Sequence, residues 1–232
     1  MISETSTRPA APPQEALTPG RYIDADHPRI RAFAEGHGGD DPAPRACAVA
    51  LYYAVRDSLR YDPYHIDMAP EGMRASAVLE AGRGFCVTKA VLYAAALRAV
   101  GIGARIGFAD VRNHMSSARL REAMGTDLFR YHGYTEVFLD GRWIKATPAF
   151  NRELCEKAGT LPLEFDGRED SVFHAFDASG NRHMEYVADH GWRWDLPYEE
   201  VMAAYRTAYP KMMGADAAQL DGDFHAEVGG ER

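Results

Sequence analysis

The segment from Gly82 to Gly103 constrains the fold more than any other part of the chain. Gly82-Arg83-Gly84 breaks the backbone, and Cys86 follows. Val87, Ala90, Val91, Ala94 and Leu97 then recur at helical spacing until Gly101 and Gly103 end the run. This pattern predicts a helix from Cys86 to about Val100 with one buried stripe, and a strand over residues 104–109. Residues 131–139 alternate and are rich in aromatic and β-branched types, which predicts a second strand. Asp140-Gly141 is a two-residue turn of the kind that closes hairpins, so Trp143 to Thr147 is the return strand. In that register Glu136 faces Lys145, and Tyr134 faces Thr147. The opposite charges of the first pair support the register. A helical half followed by a run of strands predicts an α+β fold, with the cysteine helix packed on an antiparallel sheet.

The remaining segments are less decisive. Residues 43–59 carry a helical stripe, with Pro42 and Pro44 where a helix starts. A loop spans residues 61–72, and Ser76 caps a short turn. Residues 113–130 read as an inserted loop holding a polar helix from Ala118 to Met124. Beyond Pro148 the periods fade until a helix over about residues 197–209, with Val201, Met202 and Tyr205 on one face. Residues 1–20, rich in Pro, Ser, Thr and Ala, are expected to form a flexible arm. Residues 214–232 read as an acidic tail in which Phe224 is placed to dock locally. Residues 21–213 are then one domain, with a core over about 45–150 and a C-terminal cap over about 151–213.

Composition narrows the partners. The 232 residues have a formal net charge of -8 and no basic stripe, which argues against nucleic acid and against an anionic membrane surface. No stretch reaches the apolar length of a membrane span. No basic region followed by an apolar run marks a secretory signal. Cys47, Cys86 and Cys155 are odd in number and widely spaced with no CxxC pair. They are expected to be reduced thiols in a cytoplasm rather than zinc ligands. No cofactor is implied, and the oligomeric state is not legible.

Cys86 is the residue with chemistry in reach. It opens a helix, where free N–H groups and the dipole favour a thiolate. Gly82 and Gly84 let the backbone before it turn sharply. Its own N–H is unpaired at a helix start and suits an oxyanion. Alone, such a cysteine reads better as a small buried hydrophobe. His132, at the head of the strand and on the face of Tyr134 and Glu136, supplies the base that a thiol nucleophile needs.

GRGFCVTKAVLYAAALRAVGIGARIGF (residues 82–108) resembles the transglutaminase-like superfamily in its G-x-C start, small-residue helix and Arg98, Gly101, Ile102 and Arg105 exit. HGYTEVFLDGRWIKATP (residues 132–148) is similar to the histidine strand of that family, matching at His132, Tyr134, Glu136, Val137 and Trp143. The resemblance spans roughly residues 45–150. It implies a papain-like core and a Cys–His–Asp triad for amide chemistry, with Cys86 as nucleophile and His132 as base. Where the family pattern carries an aspartate four residues after the tryptophan, this chain has Thr147. A threonine holds a tautomer but supplies no charge to an imidazolium. Asn151 is the alternative orienting group, since papain-like enzymes use an asparagine there. Tyr64, His65 and Arg83 are candidate second oxyanion donors, although a surface loop is the better reading of the first two.

The C-terminal third holds His174, His183, Glu185, Asp189 and His190, in a spacing that matches no metal-ligand pattern. This segment, with His114 in the insertion, reads better as a cap over the cleft. Cys47 and Cys155 read as inert. The expected function is cysteine-dependent acyl transfer or hydrolysis on a small-molecule or peptide amide, ester or related carbonyl. The alternatives are a non-catalytic binding module and a small-molecule hydrolase cleaving an ester or C–C bond.

Overall fold

The computed structural model describes residues 11–113, 116–172, 184–213 and 222–228. His114, His174 and His183 lie outside the described residues. After a single 3-10 turn at Gln14–Ala16 come α1 (Pro28–His37) and α2 (Pro44–Ser58), both begun by a proline in the first turn. A two-residue strand, β1 (Arg60–Tyr61), pairs in parallel with β2 (Arg83–Gly84), and α3 (Ala75–Ala81) lies between them. Gly82 ends α3 in the left-handed region at φ 63°, a conformation that glycine adopts without steric penalty. Next come α4 (Cys86–Ala99), β3 (Ala104–Asn113), α5 (Ala118–Met124), β4 (Leu128–Leu139), β5 (Arg142–Ala146), α6 (Arg152–Ala158) and β6 (Met184–Arg193). The short helices α7 (Tyr198–Ala208), α8 (Pro210–Met213) and α9 (Phe224–Val228) complete the described chain.

The centre of the molecule is α4, and it is covered on every side. All its residues from Cys86 to Arg98 are buried, where the sequence pattern predicts one stripe. The sheet takes one face, and α1, α2 and α3 take the others. Such a helix can carry polar residues only if each is bonded. Lys89 Nζ donates to the carbonyls of Arg56 and Leu59 at 2.8 and 2.9 Å, closing the C-terminal end of α2. Arg98 donates to the carbonyls of Ala104, Thr18 and Trp194. Thr135 Oγ1 donates to the Ala90 carbonyl at 2.9 Å and fastens the sheet to α4.

The sheet has the order β5-β4-β3-β6 and is antiparallel throughout. The hairpin register is the expected one, with Glu136 opposite Lys145. The charges do not pair with each other, however. Glu136 instead meets Arg105, its neighbour on β3, while Lys145 reaches Asp189 on β6 at 3.4 Å. The Arg105 guanidinium stacks between Trp143 and Trp192, 4.0 and 3.9 Å from their ring centroids, and this fixes its direction toward Glu136. The ladder between β4 and β5 stops at Thr135 opposite Ala146, so Thr147 lies just past its end.

The edge strand β6 is not visible as a period, because half of its residues are exposed, only Met184 is buried, and two register shifts interrupt its pairing with β3. Part of the expected arm packs on the core: Ala16 is buried and the Thr18 carbonyl accepts from Arg98. Within the expected tail, Phe224 is buried against Tyr61 and Tyr64. No helix among the described residues is long and apolar enough to cross a membrane.

Candidate active site

Cys86 is the first residue of α4, entered from the extended Phe85. Thr88 Oγ1 accepts the Phe85 N–H at 3.0 Å, which sets the direction of that entry. No side-chain oxygen caps the first turn, so its N–H groups are left to other partners. The N–H groups of Cys86 and Val87 turn toward the Cys86 sulfur, and the N–H of Gly133 on β4 joins them. Strand and helix meet closely here. A Cβ on Gly133 would lie 2.7 Å from Val87 Cα, so only glycine admits the contact. The residue before that contact is His132, buried like the thiol.

Burial decides the protonation of both groups. It pushes the Cys86 thiol up to about 11, despite the three N–H groups that favour the thiolate. The helix start favours the thiolate, as the sequence leads one to expect, and desolvation acts against it. Burial also pushes His132 down to about 4. At neutral pH the pair rests as a thiol and a neutral imidazole.

Cys86 and His132 open on one pocket of about 310 Å³. Tyr61, Tyr64 and Phe85 form the wall beside the thiol. Leu120 and Met124 of α5 and Phe129 of β4 form a second side, and Tyr205, Tyr209, Met212 and Met213 close a third from α7 and α8. Arg130 brings a guanidinium to the lining, but it is neutralised by Asp110 at 2.8 Å. The cavity is apolar and aromatic, with methionines that adapt to shape.

The orienting candidates behave differently. Thr147 Oγ1 is buried with no hydrogen-bond partner among the described residues, while the Thr147 carbonyl accepts from Tyr52. Asn151 is buried, and its side-chain oxygen accepts the Tyr61 N–H at 3.2 Å. Of the candidate oxyanion donors, Tyr64 lines the pocket, but its hydroxyl bonds to Ser117 and Glu227. His65 and Arg83 both approach Asp62, in a separate cleft.

A backbone irregularity lies directly before His132. Ala109 pairs with His132 and Val111 with Phe129, so Asp110 alone stands opposite both Arg130 and Tyr131. This is a β-bulge, and Tyr131 within it has φ 50°. A left-handed non-glycine residue costs about 1–2 kcal/mol. Asp110, Arg130, Tyr131 and His190 are gathered around it: His190 Nε2 is 2.7 Å from Asp110 Oδ1, and its ring stacks on Tyr131. His190, one of the C-terminal histidines, is thus part of this cluster. No group of three or more metal-ligand side chains is present among the described residues.

Sequence reasoning missed Gly133, the bulge and the lining from α7 and α8. A glycine inside a strand pattern, as in His132-Gly133-Tyr134, is the signal that would have marked the close approach. Nothing in the sequence separates a pocket-lining Tyr209 from a core tyrosine.

A family model described as the transglutaminase-like superfamily matches residues 31–148, just over half of the chain. No curated protein matches the sequence. Among solved structures, a candidate cysteine protease from Cytophaga hutchinsonii superposes at 17% identity and a TM-score of 0.43, over 76% of this chain and 53% of its own. A candidate protease from Parabacteroides distasonis does so at 17% and 0.38, over 56% of this chain and 25% of its own. The arylamine N-acetyltransferase from Mycobacterium abscessus does so at 12% and 0.45, over 87% of this chain and 75% of its own. The chain thus spans about half the length of the first of these structures and a quarter of the second. The family match, not these low-scoring superpositions, carries the assignment.

Proposed function

The chain belongs to the transglutaminase-like superfamily, and on that premise we propose that it is a cysteine-dependent acyl-transfer enzyme acting on a small apolar carbonyl compound. Family membership supports cysteine-based acyl transfer or hydrolysis in general terms. The observation that carries the finer reading is that Cys86 and His132 line one largely apolar pocket, with the Gly133 N–H directed at the sulfur. A pocket of about 310 Å³ lined partly from α5, α7 and α8 suits a compact ester, thioester or amide.

In this reading the resting pair is uncharged, so the thiol attacks with base assistance rather than as a preformed thiolate. The Cys86 proton passes to the imidazole as sulfur bonds to the carbonyl carbon. The Cys86 N–H donates to the oxyanion that forms. The imidazolium then protonates the departing group and leaves a thioester on Cys86. Water or an amine next gives its proton to His132 and attacks the thioester; the C–S bond breaks, the sulfur takes that proton back from the imidazolium, and the acyl product is released. Thr147 is the better orienting group of the two, because its hydroxyl is uncommitted whereas the Asn151 oxygen holds Tyr61. Three free cysteines fit a reducing cytoplasm, where we place the protein.

A non-catalytic binding pocket is the second reading, favoured by the neutral state of both groups. Mass spectrometry after exposure to p-nitrophenyl acetate separates the two. An acyl group on Cys86, formed in step with p-nitrophenol release and absent from His132→Ala, is expected. Release of p-nitrophenol without any Cys86 adduct, or none at all with this and longer-chain esters, counts against the enzyme.

A further inference from the structure

We infer that Asp110 is a positioning residue for His132: its buried carboxylate holds the left-handed bulge at Arg130 and Tyr131 from which His132 enters the sheet. This rests on the reading of His132 as the base.

The bulge adds one residue to β4 immediately before His132, so it sets the register in which His132 pairs with Ala109. Tyr131 has neither the missing Cβ of a glycine nor the short polar side chain of an asparagine to make φ 50° comfortable. Its conformation must be held from outside. Asp110 Oδ1 accepts the Tyr131 N–H at 3.0 Å, and Asp110 Oδ2 meets the Arg130 guanidinium at 2.8 Å. The other bulge amide is held as well: the Arg130 N–H donates to Tyr209 Oη at 2.5 Å, and that hydroxyl donates to the Leu128 carbonyl. The Tyr131 ring lies 4.2 Å from the His190 ring at 7° between planes, and its hydroxyl donates to Glu200 on α7. Two strands and a helix therefore converge on two residues, and Asp110 is the only one of these partners bonded to both the backbone and the side chains of the bulge. With its oxygens committed to Tyr131, Arg130 and His190, this carboxylate acts on His132 through the backbone and not through the ring.

The test uses the full chain, with p-nitrophenyl acetate turnover and iodoacetamide alkylation of Cys86 as readouts. Asp110→Ala is expected to lower kcat at least tenfold with KM changed less than twofold, and to slow Cys86 alkylation by a similar factor. Asp110→Asn keeps an oxygen for the Tyr131 N–H and is expected to stay within threefold of the wild type. Adding Tyr131→Gly to Asp110→Ala is expected to recover most of the loss, because glycine adopts the bulge conformation unaided. Wild-type rates in Asp110→Ala, or an equal tenfold loss in Asp110→Asn, overturn the inference. If Asp110→Ala does not fold, Asp110→Asn decides alone by the same threefold and tenfold limits. Loss of turnover in Cys86→Ala and His132→Ala but not in Asp110→Ala rejects the positioning role only. Full turnover in the first two rejects the proposed chemistry itself.

Discussion

Cys86 and Cys155 are both buried thiols, and burial pushes each up to about 11. Their surroundings differ in everything else. Cys86 starts a fourteen-residue helix, faces a pocket of about 310 Å³ and shares it with His132. Cys155 lies inside the short helix α6 beside Phe150, against a crevice of about 10 Å³ that Phe224 and Val228 help to fill. No histidine among the described residues lines that crevice. Burial thus acts alike on the two thiols, and what separates them is that the Cys86 pocket also holds a histidine and has room for a ligand.

The sharpest way to break the comparison is to remove each sulfur in turn. Cys86→Ala is expected to lower p-nitrophenyl ester turnover by roughly 10³-fold or more. Cys155→Ala is expected to leave turnover within about twofold and to cost about 1–2 kcal/mol in urea unfolding. Comparable turnover losses in both variants would erase the distinction.

Removing His132, the proposed base, comes next. His132→Ala is expected to reduce turnover by roughly 10²–10⁴-fold. It also has a signature in stability. The folded value of His132 is depressed to about 4 from 6.5, so between these limits the unfolded chain binds more protons than the folded one. Its contribution is complete above pH 6.5 and is lost as pH falls toward 4. Between pH 7 and pH 5 the wild type is expected to lose on the order of 1–2 kcal/mol through this group. Urea midpoints for His132→Ala should fall less over the same interval. Equal slopes would place the histidine in contact with water.

Gly133→Ala tests the close approach that Cys155 lacks. Its Cβ would meet Val87 Cα, part of a backbone that cannot rotate away. Turnover is expected to fall by roughly 10–100-fold through displacement of the strand from the thiol, with about 1–3 kcal/mol lost in unfolding. Thr147→Val carries the smallest effect. It deletes an unbonded buried hydroxyl, so stability is expected to rise by up to about 1 kcal/mol, while turnover falls by no more than about tenfold through the loss of an orienting group. Unchanged turnover would pass that role to Asn151.

Much of this contrast was legible in the sequence, but not all. The two motif blocks marked Cys86 and His132, and the Asp140-Gly141 turn correctly set Glu136 opposite Lys145. The helix over Ala118–Met124 was also legible. The strand β6 was not, because an exposed edge carries no buried alternation. The ion-pair partner of Glu136 was not legible, because a hairpin register says nothing of the third strand, where Arg105 sits between two indole rings and meets Glu136. The helix start before Cys86 is visible in sequence, while the burial that pushes its thiol up is a property of the packed fold.

The lining drawn from α7 and α8 also bears on the order in which the site comes into being. Cys86 and His132 leave the ribosome well ahead of Tyr205, Tyr209, Met212 and Met213. Helix α4 and the strands around it are complete by then, and nascent domains begin to fold as they emerge. During synthesis the thiol, the imidazole and the Tyr61, Tyr64 and Phe85 wall therefore all precede the tyrosines and methionines that line the third side of the pocket.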